Sequence, residues 1–256
     1  MSETILSIKN LSVSYGDEQV INKLDLNVNQ GEIICIVGES GSGKSTLLKT
    51  IVGIGDFSVT EGEVLYKNRN LLELSYKDYE SILGSEIGYI NQNPMGAFNP
   101  IRKFENQFKE IFLSHNQEMD YGKMEDMFAL LGLNNFEKIL NSRPYEMSGG
   151  MNQRIAIYAS MIMEPKILLC DEITSALDVS TASLVVEELL KLKAEMHTTI
   201  IMVTHSLGVA ARLSDRIYIM HNGKIVEGDV TEEVLSNPKQ EYTNQLLRDV
   251  PRLMVD

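Results

Sequence analysis

Residues 38–45 read Gly-Glu-Ser-Gly-Ser-Gly-Lys-Ser. A glycine, four intervening residues and then Gly-Lys-Ser is the spacing of a loop that cradles phosphate. Gly38, Gly41 and Gly43 let the backbone bend with its N–H groups pointing inward. Glu39, Ser40 and Ser42 fill the loop, and Lys44, Ser45 and Thr46 open the helix expected after it. Lys44 can reach the β- and γ-phosphates of a triphosphate, and the Ser45 hydroxyl can ligate Mg²⁺. A glycine-rich turn with an incidental lysine would have the same letters, so the context decides. Here a buried strand precedes the loop.

A second group closes the run Lys-Ile-Leu-Leu-Cys-Asp-Glu (166–172). Asp171, at the strand's C-terminal end, can hold the hydration shell of Mg²⁺ through water. Glu172, one residue on, can polarise an attacking water. Alone, such a pair is an acidic strand end. After a phosphate loop, it implies hydrolysis of a nucleoside triphosphate. A third group, Ser148-Gly149-Gly150-Met151, lies in Tyr-Glu-Met-Ser-Gly-Gly-Met-Asn-Gln-Arg (145–154). Ser-Gly-Gly at a helix start is again an arrangement for holding an anion. One chain therefore carries two phosphate signals far apart.

The elements that must position these groups follow from hydrophobic periodicity. Residues 5–8, 11–15 and 20–28 alternate apolar and polar, which predicts short antiparallel strands. Residues 31–38 are a continuous apolar run, a buried central strand, with a helix expected over 44–54. Further strands are expected over 61–68, 86–94 (ending at a proline), 166–172 and 198–205, with a helix over 180–196. From about 95 to 160, Met, Phe and Leu recur at helical spacing, which predicts a helical insert whose apolar residues mostly fill its own core. Residues 216–229 predict a hairpin turning at Asn222-Gly223. A short helix and tail are expected over about 231–256. Strands alternating with helices predict a mainly parallel sheet with helices on both faces.

Size and composition narrow the classes. A chain of 256 residues can bury a full core. A net charge of −13 argues against a general nucleic-acid binder, which needs a basic face. No apolar run approaches the roughly 20 residues of a membrane span, and the first residues do not read as a secretory signal. Cys35 and Cys170 both lie in apolar runs, which predicts buried free thiols and a reducing compartment.

With the Ser-Gly-Gly segment added, the chain resembles the nucleotide-binding domain of ATP-binding cassette (ABC) proteins over essentially its whole length. The resemblance implies an α/β P-loop NTPase (RecA-like) fold, with a mainly parallel sheet, an antiparallel N-terminal β part and an inserted helical subdomain, all one domain over 1–256. It implies that Tyr15 stacks on adenine. It implies that Gln92 touches Mg²⁺ and the attacking water and senses the membrane partner. His205 would contact the γ-phosphate, whereas a lone strand-end histidine is more often structural. Ser175, Ala176, Leu177 and Asp178 would form the loop crossing a dimer interface. His115, His197 and His221 match no motif. In such proteins two domains pair head to tail, and Ser148, Gly149 and Gly150 meet the γ-phosphate of the partner's ATP.

Three segments resemble the ATPase subunits of peptide, dipeptide and nickel importers. They are INQNPMGAFNP (90–100), RPYEMSGGMNQR (143–154) and NPKQEYTNQLLRDVPR (237–252). Met151, after the two glycines, is a habit of this group. Asn91, Met147 and Ile173 depart from the usual Phe, Leu and Pro. The resemblance implies ATP and Mg²⁺ as ligands, and a second ABC ATPase subunit, either a sister chain or a second copy. It also implies two transmembrane permease subunits, an extracellular binding protein reached through them, and a place at the cytoplasmic face of the membrane. No iron–sulfur cluster is expected. The cargo, whether peptide, nickel or metal chelate, stays open. The other class is a soluble ABC ATPase of translation or DNA repair.

Overall fold

A computed structural model describes residues 3–175 and 177–249. In chain order its first elements are β1 (Thr4–Tyr15), β2 (Glu18–Asn29), β3 (Ile33–Val37), α1 (Lys44–Ile51), β4 (Ser58–Tyr66), β5 (Arg69–Asn70), α2 (Tyr76–Ile82) and β6 (Ile87–Ile90). Next come α3 (Phe104–Ser114), α4 (Tyr121–Leu130), α5 (Phe136–Asn141), α6 (Gly149–Met161), β7 (Ile167–Asp171) and α7 (Val179–Met196). The chain continues with β8 (Thr199–Thr204), α8 (Leu207–Leu213), β9 (Arg216–His221), β10 (Lys224–Val230), α9 (Thr231–Ser236) and α10 (Glu241–Asp249). They form two compact units. One holds the residues up to 76 and those from 199 onward, and the other holds residues 77–198.

In the first unit, β2, β1, β4 and β5 form an antiparallel sheet in that order. Ile8 faces Leu26 on one side and Val64 on the other. The two strands expected over 5–8 and 11–15 are one strand. Register shifts between Ile8 and Leu11 absorb the polar Lys9-Asn10 pair, and Asn10 takes a φ of 50°. Its N–H donates to Asp25 Oδ1 at 2.8 Å, so the kink leaves no backbone donor wasted. The order in the second sheet is β10-β9-β3-β8, with β3 parallel to both β8 and β9. Every residue of β3 and β8 is buried, as the continuous apolar runs require. Burial pushes the Cys35 thiol up to about 12, so it packs as a hydrophobe.

Register fixes what emerges from this sheet. Val37 is opposite both Thr204 and Ile219. Gly38, His205 and Met220 therefore follow side by side at the C-terminal ends of parallel strands, where open α/β sheets hold ligands. The hairpin turns at Asn222 (φ 47°) and Gly223 (φ 73°), a two-residue turn with both φ positive. The expected tail carries a second helix, α10, after α9.

In the second unit, β6 and β7 run parallel, with Ile90 opposite Cys170. The strand expected over 86–94 stops at Ile90. The helix expected after the phosphate loop likewise stops early, at Ile51. Helices α3 to α6 occupy most of the stretch read as a helical insert. Regular helix begins only at Phe104, since Pro94 and Pro100 disfavour helical backbone before them. Phe108 packs against the rings of Phe98, Phe104, Phe128 and Tyr158 at centroid distances of 5.1–6.3 Å. Phe112 and Met124 are buried as well. The Met and Phe periodicity is thus mainly core. Among the described residues, no helix is long and apolar enough to cross a membrane.

Candidate nucleotide-binding site

The phosphate loop leaves β3 against the hairpin. A Cβ on Gly38 would lie 2.1 Å from the Met220 carbonyl oxygen, so only glycine fits. Gly43 has a φ of 103°, and a Cβ there would come within 2.9 Å of the Val20 carbonyl. Glu39, Ser40 and Gly41 are exposed, Ser42, Lys44 and Thr46 are buried, and Ser45 is half-buried. Lys44 Nζ donates to the Gly38 and Glu39 carbonyls at 2.9 and 2.7 Å, with Ser42 Oγ at 3.4 Å. Its charge is thus stored inside the loop. Gly43 offers α1 no side-chain cap. A helix start of this kind presents N–H donors and partial positive charge to an anion.

Two other expected residues belong to the same unit. Tyr15 ends β1 with its ring 36% exposed and edge-on to Phe57, at 6.1 Å and 80°. His205 is exposed just beyond β8. It is steadied by a turn in which Ser206 N–H donates to Thr204 Oγ1 at 3.0 Å and Ser206 Oγ caps α8.

In the second unit, the pairing of Ile90 with Cys170 puts the bend at Gln92 and the pair Asp171-Glu172 at one end of β6 and β7. Gln92 is exposed. Asp171 is 2% exposed and accepts a hydrogen bond from the Tyr89 hydroxyl at 3.1 Å. Burial, and then the Asp171 charge, raise the Tyr89 hydroxyl's pKa, so it remains a donor. Glu172 is half-buried with a φ of 48°. A left-handed φ in a non-glycine residue is backbone strain that the surrounding turn must hold in place. The Glu172 carbonyl accepts from both the N–H and the hydroxyl of Ser175, at 3.0 and 2.8 Å, closing a tight turn. Ile173, where a proline was expected, is a buried core residue. Its carbonyl accepts from Gln153 Nε2 on α6 at 3.0 Å.

Ser148 is the N-cap of α6, its hydroxyl accepting from Met151 N–H at 3.3 Å. Ser148 and Gly149 are exposed, Gly150 and Met151 half-exposed. Asp178 caps α7 in the same way. Hydrogen bonds from the Ser180 and Thr181 hydroxyls and the Thr181 N–H hold its carboxyl far below the usual carboxylate range. Ser175 and Leu177 flank this turn, and Ala176 lies outside the described residues.

The fold thus gathers the phosphate loop and His205 at one strand end of the first unit. It gathers Gln92, Asp171 and Glu172 at one strand end of the second. Sequence reasoning missed Tyr89 and Gln153, the groups that hold Asp171 and the turn after Glu172. The signal for Tyr89 was its place three residues before Gln92, on a strand leading to the same end.

Residues 21–175 match the family described as "ABC transporter". The dipeptide transport ATP-binding protein DppD of Lactococcus lactis is 35% identical over 259 residues, covering 97% of this chain and 74% of that protein. The oligopeptide transport ATP-binding protein OppD of Bacillus subtilis is 36% identical, covering 97% and 72%. Among solved structures, the dimeric bacterial ABC transporter cassette MJ0796 matches with a TM-score of 0.76 at 28% identity, over 88% of this chain and 98% of that one. A phosphate loop on a buried parallel strand, a strained Asp-Glu strand end and an exposed Ser-Gly-Gly helix start all agree with these matches: the chain belongs to the ABC transporter family.

Proposed function

We propose that this chain is the ATP-binding and ATP-hydrolysing subunit of an importer, and that its cargo is a dipeptide or oligopeptide. The observation that carries the reading is the phosphate loop, with Lys44 stored on the Gly38 and Glu39 carbonyls beside the bare start of α1. The relatives' names support a peptide cargo. Nickel or a metal chelate remains within the same importer group. A soluble ABC ATPase of translation or DNA repair is disfavoured by those names and by a net charge of −13.

The roles follow from residue chemistry. Tyr15 offers an exposed ring for stacking on adenine. Backbone N–H groups of residues 40–46 and the Lys44 ammonium receive the phosphates, with Glu39 lying at the start of the loop. Glu172 accepts the proton of the attacking water, and His205 donates to the γ-phosphate. Ser45, Gln92 and Asp171 are a hydroxyl, an amide oxygen and a carboxylate. This hard-oxygen set suits Mg²⁺, which usually takes few protein ligands and keeps its waters. No cluster of three or more His, Cys, Asp or Glu that could hold a metal ion occurs among the described residues. Mg²⁺, held by Ser45, Gln92 and, through water, Asp171, would neutralise phosphate charge.

Ser148, Gly149, Gly150 and Met151 would meet the γ-phosphate held by a second ATPase subunit, which is a sister chain or a second copy. Residues Ser175 to Asp178 would line that interface. The chain would be one nucleotide-binding domain, peripheral at the cytoplasmic face through two permease subunits, serving an extracellular binding protein. The test is Mg²⁺-dependent ATP hydrolysis by the purified chain and its loss in Lys44→Ala. Co-purification with permeases is expected; co-purification with ribosomes or DNA instead would overturn the transport reading.

A further inference from the structure

The last helix reaches back to the phosphate loop. Its start is anchored by Glu227 of β10. That carboxylate accepts from Lys239 N–H at 2.7 Å, Gln240 N–H at 3.1 Å and the Thr243 hydroxyl at 2.5 Å. Burial alone would raise the Glu227 pKa, but these donors bring it below the usual value. Thr243 is fully buried. The neighbouring Tyr242 lays its ring 4.0 Å from that of His221, tilted by 34°. His221 Nδ1 in turn lies 3.1 Å from Glu39 Oε1. The Tyr242 hydroxyl accepts from the Glu39 N–H at 3.1 Å.

That N–H belongs to the same peptide group as the Gly38 carbonyl, which accepts from Lys44 Nζ at 2.9 Å. One peptide of the phosphate loop is therefore held at both ends, by a cation on its oxygen and a tyrosine oxygen on its N–H. The cation polarises the peptide and strengthens the N–H as a donor. Glu39, Ser40 and Gly41 are exposed, so little else packs this part of the loop.

We infer that Tyr242 is a positioning residue for nucleotide binding. It fixes the Gly38–Glu39 peptide, and with it the resting place of Lys44, before any ligand arrives. Ordering the loop in the free protein removes that cost from binding. The inference rests on the reading that this loop takes ATP.

The test compares the whole chain with Tyr242→Phe, which keeps the ring on His221 and deletes the hydroxyl. Isothermal titration with Mg-ATP should show Kd raised about 3- to 10-fold, the worth of one net hydrogen bond. The KM for ATP should rise in step while kcat at saturation is unchanged, and the melting temperature should hold. Thr243→Val, which removes the hydroxyl that anchors the helix on Glu227 but leaves the Tyr242 hydroxyl in place, should lower the melting temperature instead. Equal Kd for wild type and Tyr242→Phe overturns the inference, as does a Tyr242→Phe protein that merely melts early. Wild-type protein that fails to bind Mg-ATP overturns the functional reading itself. Hydrogen exchange needs no variant: the Glu39 amide should be protected in the nucleotide-free chain, and fast exchange there would also overturn the inference.

Discussion

The Tyr89 hydroxyl donates to the Asp171 carboxylate across the parallel pair of β6 and β7, at 3.1 Å. This contact orients the carboxylate that we propose holds the hydration shell of Mg²⁺. Tyr89→Phe removes the donor from a group only 2% exposed. Loss of one such hydrogen bond to a buried carboxylate costs about 1–3 kcal/mol. The expected result is a higher Mg²⁺ concentration for half-maximal ATP hydrolysis, with a lower melting temperature. An unchanged Mg²⁺ requirement would show that Asp171 needs no such support.

Glu172 combines two separable properties, a carboxylate and a left-handed backbone with φ of 48°. Glu172→Gln keeps the shape and loses the base, so hydrolysis should fall about 100-fold or more while ATP binding persists. Glu172→Gly should be more stable than Glu172→Ala by about 1 kcal/mol, the reverse of the usual order, because glycine accepts positive φ. Thermal denaturation of the two variants reads this directly.

A Cβ built on Gly149 meets nothing within 4 Å. Gly149→Ala should therefore fold normally. Gly149→Asp should also fold, since a carboxylate suits the first turn of a helix. The same charge would oppose the γ-phosphate of a partner's ATP. ATP-driven dimerisation, followed by size-exclusion chromatography in a Glu172→Gln background, should survive the first substitution better than the second. A full dimer with Gly149→Asp would remove this helix start from the interface.

Glu188 on α7 is 5% exposed and pairs with Arg154 Nε of α6 at 2.9 Å, yet its Oε2 is buried with no hydrogen-bond partner. Burial pushes its carboxyl up to about 7, outweighing the opposing pull of Arg154 and Lys191. A folded-state pKa above the unfolded 4.5 means that the folded chain holds the extra proton. The stability this supplies is complete below that lower value and is lost as pH rises through about 7. Melting temperature should thus decline over this range, and Glu188→Gln should flatten the decline. Identical pH profiles would refute it.

The candidate groups were legible in order along the chain. Gly38 to Ser45, Asp171-Glu172 and Ser148 to Gly150 stand out as candidate groups through residue type and spacing, and the elements around them are the expected strand-to-helix loop, strand end and helix start, all local structures. The apolar runs of β3, β7 and β8 likewise identified buried parallel strands, since only strands covered on both faces can be apolar throughout. Boundaries were less legible. The strand β1 runs through a polar pair that looked like a break, because pairing on both sides and the Asp25 carboxylate satisfy the bulge.

What the sequence by itself determined is thus the set of candidate groups and most of the elements that carry them. Only the tertiary structure decided which groups support them. Parallel register set Gly38 beside His205 and Gln92 beside Glu172. The same register brought Tyr89 to Asp171, and the packing of helices brought Gln153 to the Ile173 carbonyl and Tyr242 to the Glu39 amide. Glu39 and Tyr242 stand 203 positions apart in the chain. No spacing rule links such residues, because a hydrogen bond is set by distance in space, and that distance exists only once the strands have paired.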